Sequence, residues 1–232
     1  MFFNEKTMNI KDSILLILVS IVFGCLIIQA HPTIKDPMVL GEIAVIDTVK
    51  PKDTIVDVKG KTALFIGDSH TSNHNSGWQK LVCNKTGMKM KNVSVSGKTT
   101  YWMLEMGVYT IKPNINYCFI YGGANDMYTS SITPEEAVNN IQGIIRICVG
   151  NGAHPVVLTG FDPKNTNTPN KNYIPKYIKF QKLLLTTIKD ATVIDTRVVL
   201  KSDCWDGLCH MSPSGHKKIA EKVISDMNLK TY

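Results

Sequence analysis

The apolar run Ala63 to Ile66 stops on four small or polar residues, Gly67, Asp68, Ser69 and His70. A strand that ends this way delivers a hydroxyl and an imidazole to the rim of a sheet. A serine hydroxyl attacks an acyl carbon only when a base accepts its proton during attack, so Ser69 needs an imidazole within hydrogen-bond reach. Three further polar clusters follow: Ser96-Gly97-Lys98, "YGGAND" ending at Asn125 and Asp126, and "CWDGLCHMSPSGH" from Cys204 to His216. Taken singly each has an ordinary reading as a turn, a cap or a loop histidine. Those readings do not explain why the clusters recur in this order, which becomes significant if one edge of one sheet carries them all.

The elements required for that are legible. Strands are expected near 62–67, 92–95, 116–121, 155–159 and 191–195, and helices near 75–86, 99–109, 133–149, 174–189 and 213–228. The third helix has the clearest start: Thr133 and Glu136 fit a capping box, Pro134 fits the first helical position, and Val138, Ile141, Ile145 and Cys148 line one face. Ser212 and Pro213 open the last helix, whose apolar stripe is Ile219, Ala220, Val223, Ile224 and Met227. Strands alternating with helices predict a parallel five-stranded sheet covered on both faces, a three-layer α/β/α sandwich. Ligands of such sheets bind outside the carboxyl ends of the strands, where all four polar clusters fall.

The 232 residues are 44% hydrophobic, enough for a real core, and nothing in the composition is fibrous or disordered. A net charge of +7 without a dense run of Lys and Arg gives no nucleic-acid patch, and no nucleic-acid partner is expected. Ser13 to Ala30 is almost continuously apolar, carries no charge and follows Lys6 and Lys11. It reads as a signal anchor or a signal peptide over residues 1–30, which places the rest outside the cytoplasm, on the periplasmic or extracellular side, and gives the chain a membrane partner. Residues 31–61 read as a linker or stalk and 62–232 as the folded domain. In an exported domain Cys204 and Cys209 are candidates for a disulfide. Together with His210 they lack the further ligands a metal site needs, and neither a metal nor a cofactor is expected.

In this order the motifs resemble the SGNH hydrolases, the GDSL-type esterases and lipases. Ser69 in "FIGDSH" matches the first block of that family, Gly97 in "NVSVSG" the second, Asn125 in "GGAND" the third and His210 in "DGLCHMSPSGH" the last. The resemblance covers roughly residues 62 to 228 and implies a flavodoxin-like fold with Ser69 as nucleophile and His210 as base. The oxyanion donors would be the Ser69 and Gly97 backbone N–H groups and the Asn125 amide. His70 adjoins the nucleophile, where neighbouring side chains diverge, so it is expected to shape the pocket. His216, in the first turn of the last helix, is expected at the surface. A helix close behind Ser69 would direct its N-terminal amides toward developing negative charge.

The sequence departs from the family at the acid. Members commonly place an aspartate three residues before the catalytic histidine, where this chain has Gly207. Asp206 is the expected acid, with the extra residue absorbed at Gly207; Asp203 is the alternative, and a Ser-His dyad a third arrangement. The polar segment "FDPKNTNTPNKNY", Phe161 to Tyr173, overhangs the site and points to a hydrophilic substrate. The expected substrate is a short acyl ester, such as acetyl, on a carbohydrate or an acylated polysaccharide. The same residues would serve an O-acyltransferase, and an inactive carbohydrate-binding domain is the non-enzymatic alternative.

Overall fold

In the first strand, β1 (Thr62–Gly67), every residue after Thr62 is buried. It is a short apolar run that suits a strand covered on both faces. On one side it pairs with β2 (Lys89–Asn92) and on the other with β3 (Tyr117–Tyr121), followed by β4 (His154–Leu158) and β5 (Thr192–Ile194). All four pairings are parallel, and the strand order is β2-β1-β3-β4-β5. The structure, a computed structural model, describes residues 54–72, 77–129, 131–167, 171–207 and 209–232.

Helices cover both faces. On one side α1 (Trp78–Thr86) packs against α6 (Pro213–Asp226); on the other α2 (Thr100–Thr110) packs on α4 (Pro134–Gly150), and α4 on α5 (Ile174–Thr187). Between α2 and α4 lies the short α3 (Ala124–Thr129). The α4 start is the expected capping box: the Glu136 N–H donates to Thr133 Oγ1 at 3.2 Å, and the Thr133 N–H to Glu136 Oε2 at 2.7 Å. Val138, Ile141, Ile145 and Cys148 are all buried, as their spacing requires. Ser212 caps α6 by accepting from the Gly215 N–H at 3.3 Å.

Three features differ from the sequence reading. The second strand pairs through Lys89–Asn92 rather than 92–95; Val93 and Val95 leave the sheet in an extended loop that still donates to Phe65 O (3.0 Å) and Gly67 O (3.1 Å). Within the segment expected to be a linker or stalk, the described residues 54–61 pack on the folded unit. Val56 bridges Leu229, and Val58 is fully buried. His216 is not at the surface: it is buried, and its Nδ1 accepts from the Trp78 N–H at 3.3 Å, joining α6 to α1. The apolar segment Ser13 to Ala30 lies outside the described residues, among which no helix is long and apolar enough to cross a membrane.

Candidate active site

The site begins where β1 can run no further. A Cβ on Gly67 would stand 2.4 Å from the Tyr121 carbonyl oxygen, so only glycine lets β1 close on the end of β3. The Asp68 N–H still reaches that carbonyl at 3.4 Å, and then the chain turns, with the N–H groups of Thr71 and Ser72 both donating to Asp68 O at 3.0 and 2.9 Å. Ser69 stands at the tip of this turn, half-buried. The expected helix after Ser69 is described from Trp78 onward.

Gly97 follows β2 with a φ of +75°, in the left-handed region that favours glycine. No atom lies within 4 Å of the place a Cβ would take, so conformation rather than crowding requires glycine there. Asn125 is the second residue of α3, and its Nδ2 donates to Lys98 O at 3.1 Å, which ties the end of β3 to the Gly97 loop. The same nitrogen lies 3.5 Å from Asp68 Oδ2. Beside it Asp126 is buried, and its carboxylate accepts from the Thr100 N–H at 3.0 and 3.1 Å, holding the first residue of α2.

His210 is carried on a hairpin that sequence reading missed, because two-residue strands have no readable period. In it β6 (Trp205–Asp206) pairs antiparallel with β7 (His210–Met211), placing Asp206 directly opposite His210. Gly207, at φ +70°, takes the left-handed turn that the extra residue needs. Opposed side chains in such a pair share one face, with Cβ atoms about 4.5–5.5 Å apart. Asp203 is engaged elsewhere, its carboxylate 2.8 Å from Lys218 Nζ. Among the described residues none hydrogen-bonds the His210 ring.

The expected Cys204–Cys209 disulfide is absent, and the ladder explains why. The Ser212 N–H donates to Cys204 O at 2.8 Å, the next rungs are Trp205–Met211 and Asp206–His210, and Cys209 lies beyond them. Three rungs at about 3.3 Å each separate the Cα atoms by roughly 10 Å along the ladder, more than the 4.4–6.8 Å or so that a disulfide usually spans. Cys204 is buried with Sγ 3.6 Å from Val199 O, whereas Cys209 lines the cavity described below.

Beneath the site lie two buried titratable groups. Asp68 is 1% exposed; burial pushes its carboxyl up to about 7, the Asp126 carboxylate adds to this, and the bond from the His70 N–H (3.0 Å) opposes it. His70 is 4% exposed and packs among Tyr121, Phe161 and Trp205, with ring centroids 5.6, 5.1 and 6.2 Å away. Burial, reinforced by His210 and His216, lowers its imidazole to about 3, so the ring is neutral at working pH. Its centroid is 6.0 Å from that of His210.

A cavity of about 330 Å³ opens at the carboxyl ends of the strands, and Ser69, Gly97, Asn125 and His210 all line it. His70 lines it too, as expected of a residue that shapes the pocket. Phe161 and Tyr173, the two ends of the segment expected to overhang the site, stand in its wall; sequence reading missed Tyr128, for which the signal available was its place three residues after Asn125. A hydroxyl, an imidazole, a glycine N–H and a side-chain amide around one cavity are the donors and acceptors that acyl transfer through a tetrahedral intermediate requires. No group of three or more His, Cys, Asp or Glu side chains among the described residues could hold a metal ion.

Residues 65–218 match the GDSL-like lipase/acylhydrolase family, and the chain belongs to it. It is accordingly a carboxylic ester hydrolase of the SGNH type. No curated protein sequence matches the chain. Among solved structures it is similar to Axe2, an acetylxylan esterase from Geobacillus stearothermophilus, at 15% identity and a TM-score of 0.61, covering 74% of this chain and 96% of that one. LAE5, an α/β hydrolase from the metagenome of Lake Arreo, gives 15% identity and a TM-score of 0.63 over 73% of this chain and 96% of its own. A lipolytic G-D-S-L protein of Veillonella parvula gives 14% and 0.59 over 71% and 97%. Variants of the acetylxylan esterase described as catalytic mutants replace a serine, an aspartate and a histidine three positions after that aspartate; a further solved variant replaces the tryptophan directly before the aspartate.

Proposed function

We propose that the protein hydrolyses short acyl esters, acetyl esters foremost, of a carbohydrate or similarly polar alcohol through an acyl-enzyme on Ser69. The observation that carries this reading is the convergence of Ser69, Gly97, Asn125 and His210 on one cavity. Its volume is at the lower end of the roughly 300–1,000 Å³ of small-molecule sites. Its inner wall is formed by the buried Phe161 and His70, which favours a short acyl group over a long chain.

In this mechanism His210 takes the Ser69 proton as Oγ attacks the ester carbon. The negative charge that forms on the former carbonyl oxygen meets the Ser69 and Gly97 N–H groups and the Asn125 amide. His210 then gives its proton to the departing alcohol oxygen. A water, deprotonated by the same imidazole, attacks the acyl-serine, and His210 returns that proton to Ser69 Oγ as the acyl–oxygen bond breaks and the acid leaves. Asp206 orients His210: it faces the histidine across the hairpin, whereas Asp203 is held by Lys218. The Trp205-Asp206 pair parallels the Trp-Asp of the acetylxylan esterase, with one extra residue before the histidine.

The anchor reading of Ser13 to Ala30 puts this chemistry outside the cytoplasm, beside a membrane and within reach of acylated polysaccharide. A reporter fused after Tyr232 tests it: a reporter that works only when exported should be active, and activity of only a cytoplasm-dependent reporter would refute it. The substrate reading is tested by hydrolysis of methyl esters of increasing acyl length, with and without a sugar acceptor. Preference for acetate, with free acid as product, is expected. Preference for long chains contradicts it, and acetyl transfer to the sugar in place of acid release would make the enzyme an O-acyltransferase.

A further inference from the structure

Among the described residues, Tyr128 is the one large aromatic side chain in the wall of the cavity that is also exposed, at 43%. Its neighbours there, Phe161 and Tyr173, are 2% and 4% exposed. Tyr128 follows Asn125 by three residues on α3, which brings both to one side of that helix. Its ring meets that of Tyr173 edge to face, with centroids 5.2 Å apart and planes at 64°. Tyr173 is itself fixed: its centroid is 6.2 Å from that of Tyr177, and its hydroxyl is 3.5 Å from Thr166 Oγ1. An exposed ring thus packs on a buried partner in the cavity wall that Asn125 also lines.

We propose that Tyr128 is a binding platform for the pyranose ring that carries the ester, with Tyr173 as the residue that positions it. The inference rests on the carbohydrate-ester reading above and adds the residue that would give it selectivity. A pyranose ring offers C–H bonds on its face and hydroxyls around its edge. It matches an aromatic face bordered by hydrogen-bonding groups, and a tyrosine side chain combines a large apolar body with a polar tip. Ser96, which shares the cavity wall with Tyr128, supplies such a bordering group. Because the ring already packs on Tyr173, stacking costs little ordering of the side chain.

The test compares the full chain with Tyr128→Ala and Tyr128→Phe on two acetyl esters, methyl acetate and a monoacetylated methyl xylopyranoside. In Tyr128→Ala the ratio of kcat/KM for the sugar ester to that for methyl acetate should fall about tenfold or more, chiefly through KM. Tyr128→Phe, which keeps the ring face, should hold the ratio within about threefold. Equal losses on both esters would overturn the proposal and make Tyr128 a support for α3. An unchanged ratio would overturn it as well. A loss seen instead on methyl esters of longer acids would assign the ring to the acyl chain. Failure of the carbohydrate reading shows separately, in the unsubstituted protein: methyl acetate is hydrolysed and the sugar ester is not.

Discussion

Asn125 lines the cavity and is tied to Lys98 O at the junction of β3 and α3; in the proposed mechanism its amide is an oxyanion donor held in place before the reaction begins. Preorganised donors of this kind act on the charge that develops in the transition state. Asn125→Ala is therefore expected to lower kcat by roughly 10²- to 10³-fold with little change in KM. A large KM effect at constant kcat would make it a substrate-binding residue instead. The acid can be decided at the same scale. Asp206→Asn and Asp203→Asn are near-isosteric changes that remove a charge; the first should cost far more in kcat, because only Asp206 opposes His210 in the hairpin. Equal small losses would indicate a dyad, and a dominant Asp203 effect would reverse the assignment. Ser69, Gly97 and Asn125 stood out in the sequence at strand ends and His210 in the loop before the last helix, and the structure gathers the four around one cavity. Tyr128 did not stand out, because an exposed tyrosine has no local signature until the cavity shows what it faces.

At the scale of elements, legibility followed burial. The strands β1, β3 and β4 and the helices α4 and α6 have apolar patterns imposed by the core, and they fall within one or two residues of expectation. The edge strand β2 did not: its sequence is Lys-Met-Lys-Asn, exposed for most of its length, and the neighbouring valines drew the expectation to 92–95. Edge strands are often marked by charge rather than by hydrophobicity, lysine in particular. The hairpin β6–β7 and the six-residue α3 are too short to show a period, although they carry His210 and Asn125. Short elements of this kind depend on specific bonds, and the Asp126 carboxylate is one that can be tested. It bridges α3 to the start of α2 through the buried Thr100 N–H. Asp126→Ala leaves that donor without its carboxylate and should cost roughly 1–3 kcal/mol, visible as a lower Tm. An unchanged Tm would show that the bridge is dispensable.

For the whole molecule, the two buried groups under the site set opposite pH trends. Asp68 is raised from 3.8 to about 7, so between those values the folded state holds a proton that the unfolded state has released. Its contribution is present at low pH and is lost as pH rises toward 7. His70 is lowered from 6.5 to about 3, and His216 is lowered by burial as well, so their contribution is lost as pH falls below 6.5. The Asp68 shift corresponds to on the order of 4 kcal/mol. Asp68→Asn keeps an oxygen for the His70 N–H and removes the charge; its Tm relative to the unsubstituted protein should rise between pH 4 and pH 7 and level off above. A constant difference across that range would show that Asp68 is ionised throughout.

Everything in the proposed mechanism depends on Ser69 as the nucleophile, and covalent trapping decides that role. The protein is treated with a serine-directed alkyl phosphonate and the adduct located by mass spectrometry, alongside ester hydrolysis by Ser69→Ala. A single adduct on Ser69, with labelling and hydrolysis both lost in Ser69→Ala, is the predicted result. Labelling of a different serine, with hydrolysis intact in Ser69→Ala, would contradict it.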